Sequence, residues 1–77
     1  MKVKIIVFGQ LTDIIDNNEF TLNSNADTNN LKNELHKLYP ALADKKYVIA
    51  LDKQIVTSNT MLTEGSIIAL LPPFSGG

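Results

Sequence analysis

The 77 residues contain no cysteine and no tryptophan, and no arginine stands among the seven basic side chains, which are all lysines. Without cysteine there is no disulfide framework, no thiolate metal ligand and no thiol nucleophile. Without arginine there is no bidentate fork to grip a phosphate or a guanine edge. One histidine, His36, leaves no all-histidine metal site and no His-paired catalytic device. Charge of one sign is lacking as well: the net charge is −1, so no field draws the chain toward nucleic acid or an acidic membrane. The first apolar run, Ile5-Ile6-Val7-Phe8, falls short of the ~7–15 residues of a secretory core and of the ~18–20 of a membrane span. The expected location is the cytoplasm. What is present is a hydrophobic share of 44%, normal for a folded domain. The length suits a single small domain that buries only about 60–65% of its unfolded surface. These absences argue against a self-contained enzyme.

The pattern of apolar residues predicts the elements. Met1 to Ile5 alternates apolar and charged residues, the period of a half-buried strand, with Val3, Ile5 and Val7 toward the core. Leu11, Ile14 and Ile15 have the spacing of about one helical turn, and Asp16-Asn17-Asn18 reads as a polar turn. Glu19–Asn23 alternates again and is expected to pair antiparallel with the first strand; a polar loop, Ser24 to Asp27, follows. Asp27 or Thr28 can cap a helix, along which Leu31, Leu35, Leu38 and Leu42 form an apolar stripe. Pro40 ends that helix, and Lys37 complements its dipole. Tyr47–Leu51, Gln54–Val56 and Ile67–Leu71 are further strands, with Asp52-Lys53 and Glu64-Gly65 as turns, and Pro72-Pro73 halts the last strand because neither residue can donate to a ladder.

The order strand, strand, helix, strand, strand, strand has two continuously apolar runs, Ile5–Phe8 and Ile67–Leu71, as central strands should. One helix covers one face of a sheet. The expected fold is α+β, a β-grasp (ubiquitin-like) arrangement with a mixed sheet and the first and last strands side by side and parallel. Residues 1–71 form the domain and residues 72–77 an extended tail. The uncovered face then carries Ile6 and Phe8, with one parity of the last strand, either Ile67, Ala69 and Leu71 or Ile68 and Leu70. Contiguous apolar surface of this kind marks an interface, unless the segment Leu11–Ile15 or Thr57–Leu62 folds across it.

The tail is the most informative stretch. A Gly-Gly ending arises by chance in about 0.5% of chains if glycine fills ~7% of positions, so its context has to carry the argument. Here an apolar strand runs into two prolines with preset φ, then into a thin tip, Phe74-Ser75-Gly76-Gly77. Glycines without Cβ atoms let such a tip thread a narrow channel. The reactive group would be the α-carboxylate of Gly77, a poor acyl donor until activated by attack on ATP. Other residues read blandly: His36 as a solvated helix residue, Lys45-Lys46 as a turn, and Asp13, Asp16 and Glu19 as surface groups rather than a metal site.

The ending Leu70-Leu71-Pro72-Pro73-Phe74-Ser75-Gly76-Gly77, preceded by Glu64 to Ala69, resembles the small subunits of molybdopterin synthase. That family usually ends in Gly-Asp, an apolar strand and Pro-Pro-Val-(Ser or Thr)-Gly-Gly. Val7-Phe8-Gly9-Gln10-Leu11-Thr12-Asp13 is similar to its Phe-Ala-x-x-Arg-Glu stretch. The departures are Thr12 for arginine, Asp13 for glutamate, Asp52 for asparagine, Ser66 for aspartate and Phe74 for valine. The resemblance implies that a ubiquitin-activating-type enzyme adenylates Gly77 using ATP and that sulfur then replaces an oxygen there. The resulting thiocarboxylate enters the large catalytic subunit and donates sulfur to cyclic pyranopterin monophosphate, building the dithiolene of molybdopterin. On that reading Pro72, Pro73, Phe74, Ser75 and Gly76 enter the channel, Ile6, Phe8 and Leu71 meet the partner in a heterotetramer, and the chain binds no cofactor or metal of its own. Two alternatives share the fold and the Gly-Gly end. One is a sulfur carrier of the thiamine pathway, whose tails generally lack Pro-Pro; the other is a ubiquitin-like protein modifier or interaction domain.

Overall fold

Two apolar runs far apart in the chain lie side by side at the centre of the sheet. A computed structural model describes residues 2–23 and 27–73. In it β1 (Lys2–Val7) leads through a 3₁₀ segment (Gly9–Asp13) to β2 (Glu19–Asn23). Helix α1 (Thr28–Leu38) and a second 3₁₀ segment (Pro40–Asp44) precede β3 (Val48–Leu51), β4 (Gln54–Val56) and β5 (Ile67–Leu71). The sheet order is β2-β1-β5-β3-β4. β1 and β5 run parallel, with Lys4 opposite Ile67 and Val7 opposite Leu70, and every other pair is antiparallel. This is the mixed sheet that the element order predicts.

Alternation along β1 decides which side is buried. Val3, Ile5 and Val7 join Leu31 and Leu35 of α1 in one core with Ile49, Ile68 and Leu70. Leu11 and Ile15 from the first 3₁₀ region, and Leu62 from the segment before β5, are buried in the same cluster. Neither segment therefore supplies its buried side chains to the other face of the sheet.

The helix departs from expectation at its end. Leu31 and Leu35 are wholly buried, but Leu38 is 54% exposed. Leu42 does reach the core, from the 3₁₀ segment that starts at Pro40 rather than from the helix. Pro40 changes the rise and twist of the chain, so Leu42 is buried as expected but on a 3₁₀ segment, while Leu38, the last residue of the helix, turns to solvent. Strand β3 starts at Val48, one residue later than alternation suggests.

At the other end the cap is Asp27, whose Oδ1 accepts the Asn30 amide at 2.9 Å. The segment before β5 adds a second clasp. The Thr28 hydroxyl, buried, accepts the Thr60 amide at 3.0 Å, and Asn59 Oδ1 accepts the Asn29 amide at 2.9 Å. Three donors at the helix start and beside it thus find side-chain acceptors, as orphan amides require. The β3–β4 turn puts Asp52 and Lys53 at positive φ, 48° and 75°, as a two-residue hairpin needs. Asp52 also fixes β5: its amide donates to the Ile67 carbonyl at 2.9 Å, and its Oδ1 accepts the Ile67 amide at 3.0 Å.

Candidate functional site: the tail exit and the open face

The parity of β5 is settled by register. Ile68 pairs with Ile5 and Leu70 with Val7, both toward the core. Ile67, Ala69 and Leu71 therefore share the open face with Ile6, and β3 contributes Val48 and Ala50, which lie opposite Leu71 and Ala69. Ile55 of β4 lies opposite Ala50. Phe8 is 45% exposed, Ile67 43% and Ile55 49%, each a large apolar side chain in water. Polar residues bound this patch along β2, where Glu19 forms an ion pair with Lys4 at 2.9 Å. Phe8, Ile6 and Leu71, the residues expected to meet a partner, lie together on this face.

The tail leaves from one end of the patch. The Phe8 amide donates to the Leu70 carbonyl at 3.0 Å, and one residue past Leu71 the chain reaches Pro72. Gly9 has a φ of +62° and lies directly against that proline: a Cβ on Gly9 would stand 2.8 Å from Pro72 Cγ and 3.3 Å from Cδ. Thr12 donates its hydroxyl to the Gly9 carbonyl at 2.8 Å, which closes the 3₁₀ turn, while buried Leu11 and Ile15 pin the segment to the core. Gly9, Gln10, Pro72 and Pro73 line one hollow beside the exit. Phe74, Ser75, Gly76 and Gly77 lie outside the described residues.

Turns at the far end hold the start of β5. The Ser66 hydroxyl, buried, accepts the Thr63 amide at 3.0 Å. The Ser66 carbonyl accepts the Lys4 amide, and the Gly65 amide donates to the Lys2 carbonyl at 2.8 Å. Ser66, a departure from the family pattern, thus closes its turn with a hydroxyl where an aspartate would bring a charge.

His36 is not simply solvated. Its Nε2 is 2.8 Å from the Tyr47 hydroxyl, and burial pushes the Tyr47 phenol above its ordinary value of 10.0. His36 lies on α1 and Tyr47 in the segment just before β3, so helix spacing gives no sign of the pair. Among the described residues no three His, Asp or Glu side chains come together as a metal would require. No helix there is long and apolar enough to cross a membrane.

A five-stranded mixed sheet with one helix on one face, parallel central strands and a terminal strand that runs out through two prolines defines a ubiquitin-like β-grasp domain. The chain belongs to the ThiS family, which matches residues 5–77. It is 31% identical to the molybdopterin synthase sulfur carrier subunit of Chlamydomonas reinhardtii, over the whole of both chains. It is 32% identical to a chain of the Helicobacter pylori complex of subunits 1 and 2 of molybdopterin-converting factor, again over the whole of both, with a TM-score of 0.73. The small archaeal modifier protein 1 of Methanosarcina acetivorans superimposes with a TM-score of 0.82 at 23% identity, covering 99% of this chain and 96% of that one. That last likeness is one of fold.

Proposed function

We propose that this chain is the sulfur carrier subunit of a molybdopterin synthase. The observation that carries the reading is a family match that runs through the tail to Gly77, in a chain whose relatives at 31% and 32% identity bear molybdopterin names. Pro72-Pro73 favours this branch over the thiamine-pathway carrier. The α-carboxylate of Gly77 attacks ATP on an adenylating enzyme of the ubiquitin-activating type, and pyrophosphate leaves. A sulfur nucleophile then displaces AMP and leaves a thiocarboxylate, softer and more nucleophilic than the carboxylate it replaces. Its sulfur passes to cyclic pyranopterin monophosphate in the large subunit, and the chain supplies no catalytic side chain.

The open face is the docking surface for that large subunit. A patch holding Phe8, Ile6 and Leu71 adjoins the point where the tail departs, so docking there delivers the tail to the partner. The complex of two converting-factor subunits from Helicobacter pylori supports a partner of this kind.

Intact mass after incubation with ATP, a sulfur source and the adenylating enzyme tests the reading. The expected change is one oxygen-to-sulfur exchange at Gly77. Deleting Gly77 shortens the extended reach by about 3.3–3.6 Å, well beyond the roughly 1 Å misplacement that already costs about a hundredfold in rate, so transfer should vanish while stability holds. A truncated chain that still acquires sulfur and supports dithiolene formation overturns the assignment. Ladders of heavier conjugates in cell extract with ATP would mark a protein modifier instead.

A further inference from the structure

We propose that Gly9 is the positioning residue of the C-terminal tail: its bare Cα is the seat of Pro72, and that contact sets the direction in which the chain leaves β5. Three observations converge. A Cβ at Gly9 would meet Pro72 Cγ at 2.8 Å, closer than real Cβ atoms come. The atom it meets is not the free end of a flexible side chain. It belongs to a ring closed onto the backbone: pucker moves Cγ a little, but Cδ, which the Cβ would meet at 3.3 Å, is bonded to the backbone nitrogen, so the remaining relief falls on the backbone at the tail exit. The seat is also held: Thr12 bonds the Gly9 carbonyl, Leu11 before Thr12 and Ile15 after it are buried, and the Phe8 amide ties the preceding residue to Leu70. Thr12 stands where the resembling family often has arginine, and in this chain its hydroxyl stiffens the turn on which the proline rests.

The importance of this contact for sulfur delivery rests on the carrier reading. An error of direction at Pro72 changes where the chain leaves the domain, and a misplacement of about 1 Å at a reacting group can cost roughly a hundredfold in rate. Gly9 touches no substrate and acts only through Pro72.

The chain has no cysteine, so spin labels on Asn33→Cys, exposed on α1, and Ser75→Cys report tail direction as a distance distribution. The comparison needs the parent, Gly9→Asn, Pro72→Ala and the pair. Asparagine tolerates positive φ, so Gly9→Asn brings in the Cβ with little backbone strain. Pro72→Ala removes Cγ and Cδ, the atoms that the new Cβ would strike. Gly9→Asn is expected to shift the distribution, and the pair to match Pro72→Ala alone. In sulfur transfer, Gly9→Asn is expected to lose rate at saturating large subunit, on the order of a hundredfold, with KM little changed. A folded Gly9→Asn chain with the parent's distribution and rate overturns the proposal. If Gly9→Asn does not fold, Thr12→Val decides: it removes the hydroxyl that holds the Gly9 carbonyl and leaves both prolines in place, so a shifted distribution supports the seat and the parent's distribution refutes it. A parent that never acquires sulfur refutes the carrier reading, and the distance shift still decides the role of Gly9.

Discussion

Along β5, Ile68 is wholly buried against the residues of α1, whereas Ile67, the same side chain one position earlier, is 43% exposed on the opposite face. The same contrast holds between Val7, buried at the end of β1, and half-exposed Phe8 just beyond it. Hydrophobicity is spread over both sides of the sheet, but the eleven-residue helix α1 covers one. A domain of this size gains little from leaving isoleucine and phenylalanine in water. The two faces therefore answer to different demands: one to folding, the other, on the function proposed above, to association.

The largest expected effect tests the folding face. Leu35 lies at the centre of α1 with no exposed surface, so Leu35→Ala should cost about 2–5 kcal/mol through lost burial and a residual cavity. Stability in so small a domain is near the low end of the usual ~5–15 kcal/mol, and much of the population should unfold. A denaturant midpoint equal to that of the parent would remove the distinction between the faces.

Next comes the converse. Phe8→Lys should leave circular dichroism close to the parent's and abolish co-elution with the large subunit, because a charge would have to be desolvated in the apolar centre of the interface. Unfolding of this variant would place Phe8 in the core and make both faces structural.

These faces were legible in the sequence to unequal degrees. Alternation along β1 assigns Val3, Ile5 and Val7 to the core correctly, since the period of a strand leaves two choices and the lysines reject one. β5 offers no such contrast, because Ile67 to Leu71 is apolar throughout, and its parity came only with the register to β1. The stripe past Leu35 misled in a different way: Leu38, still on the helix, is exposed, and Leu42 is buried as expected but from the 3₁₀ segment after Pro40. The Gly-Gly end and Pro72-Pro73 were visible as letters. Their relation to Gly9 joins positions 63 residues apart, and nothing in local spacing announces it. The clasp between Thr28 and the segment around Asn59 was hidden for the same reason.

A smaller effect lies at the edge of the folding face. Tyr47 packs partly against the core and shares a 2.8 Å contact with His36. Tyr47→Phe should cost about 0.5–1.5 kcal/mol near neutral pH, the usual worth of such a bond. Burial raises the folded-state pKa of this phenol above 10.0, so the protonated form is the one that folding favours. That contribution is complete below the unfolded value and is lost as pH rises through the higher folded one. The gap between parent and variant should therefore narrow on the alkaline side, as urea titrations from pH 7 to beyond 10 would show. A constant gap would assign the loss to packing.

The smallest effect sits at the polar margin of the open face. Lys4 and Glu19 meet at 2.9 Å with their side chains 43% and 55% exposed. An exposed pair of this kind is screened by water and salt, and holding two long side chains together takes entropy, so its net worth is about 0–1 kcal/mol. Lys4→Gln should move the denaturant midpoint hardly at all. Its value lies in what it does to docking. Lys4 lies opposite Ile67 in the β1–β5 register, at the end of the patch away from Phe8 and Pro72, whereas the tail leaves from the other end. If association is centred on the tail exit, Lys4→Gln changes affinity for the large subunit by no more than about twofold, as a rim charge does. A loss matching that of Phe8→Lys would extend the interface down the whole of β1 and leave no part of the open face free.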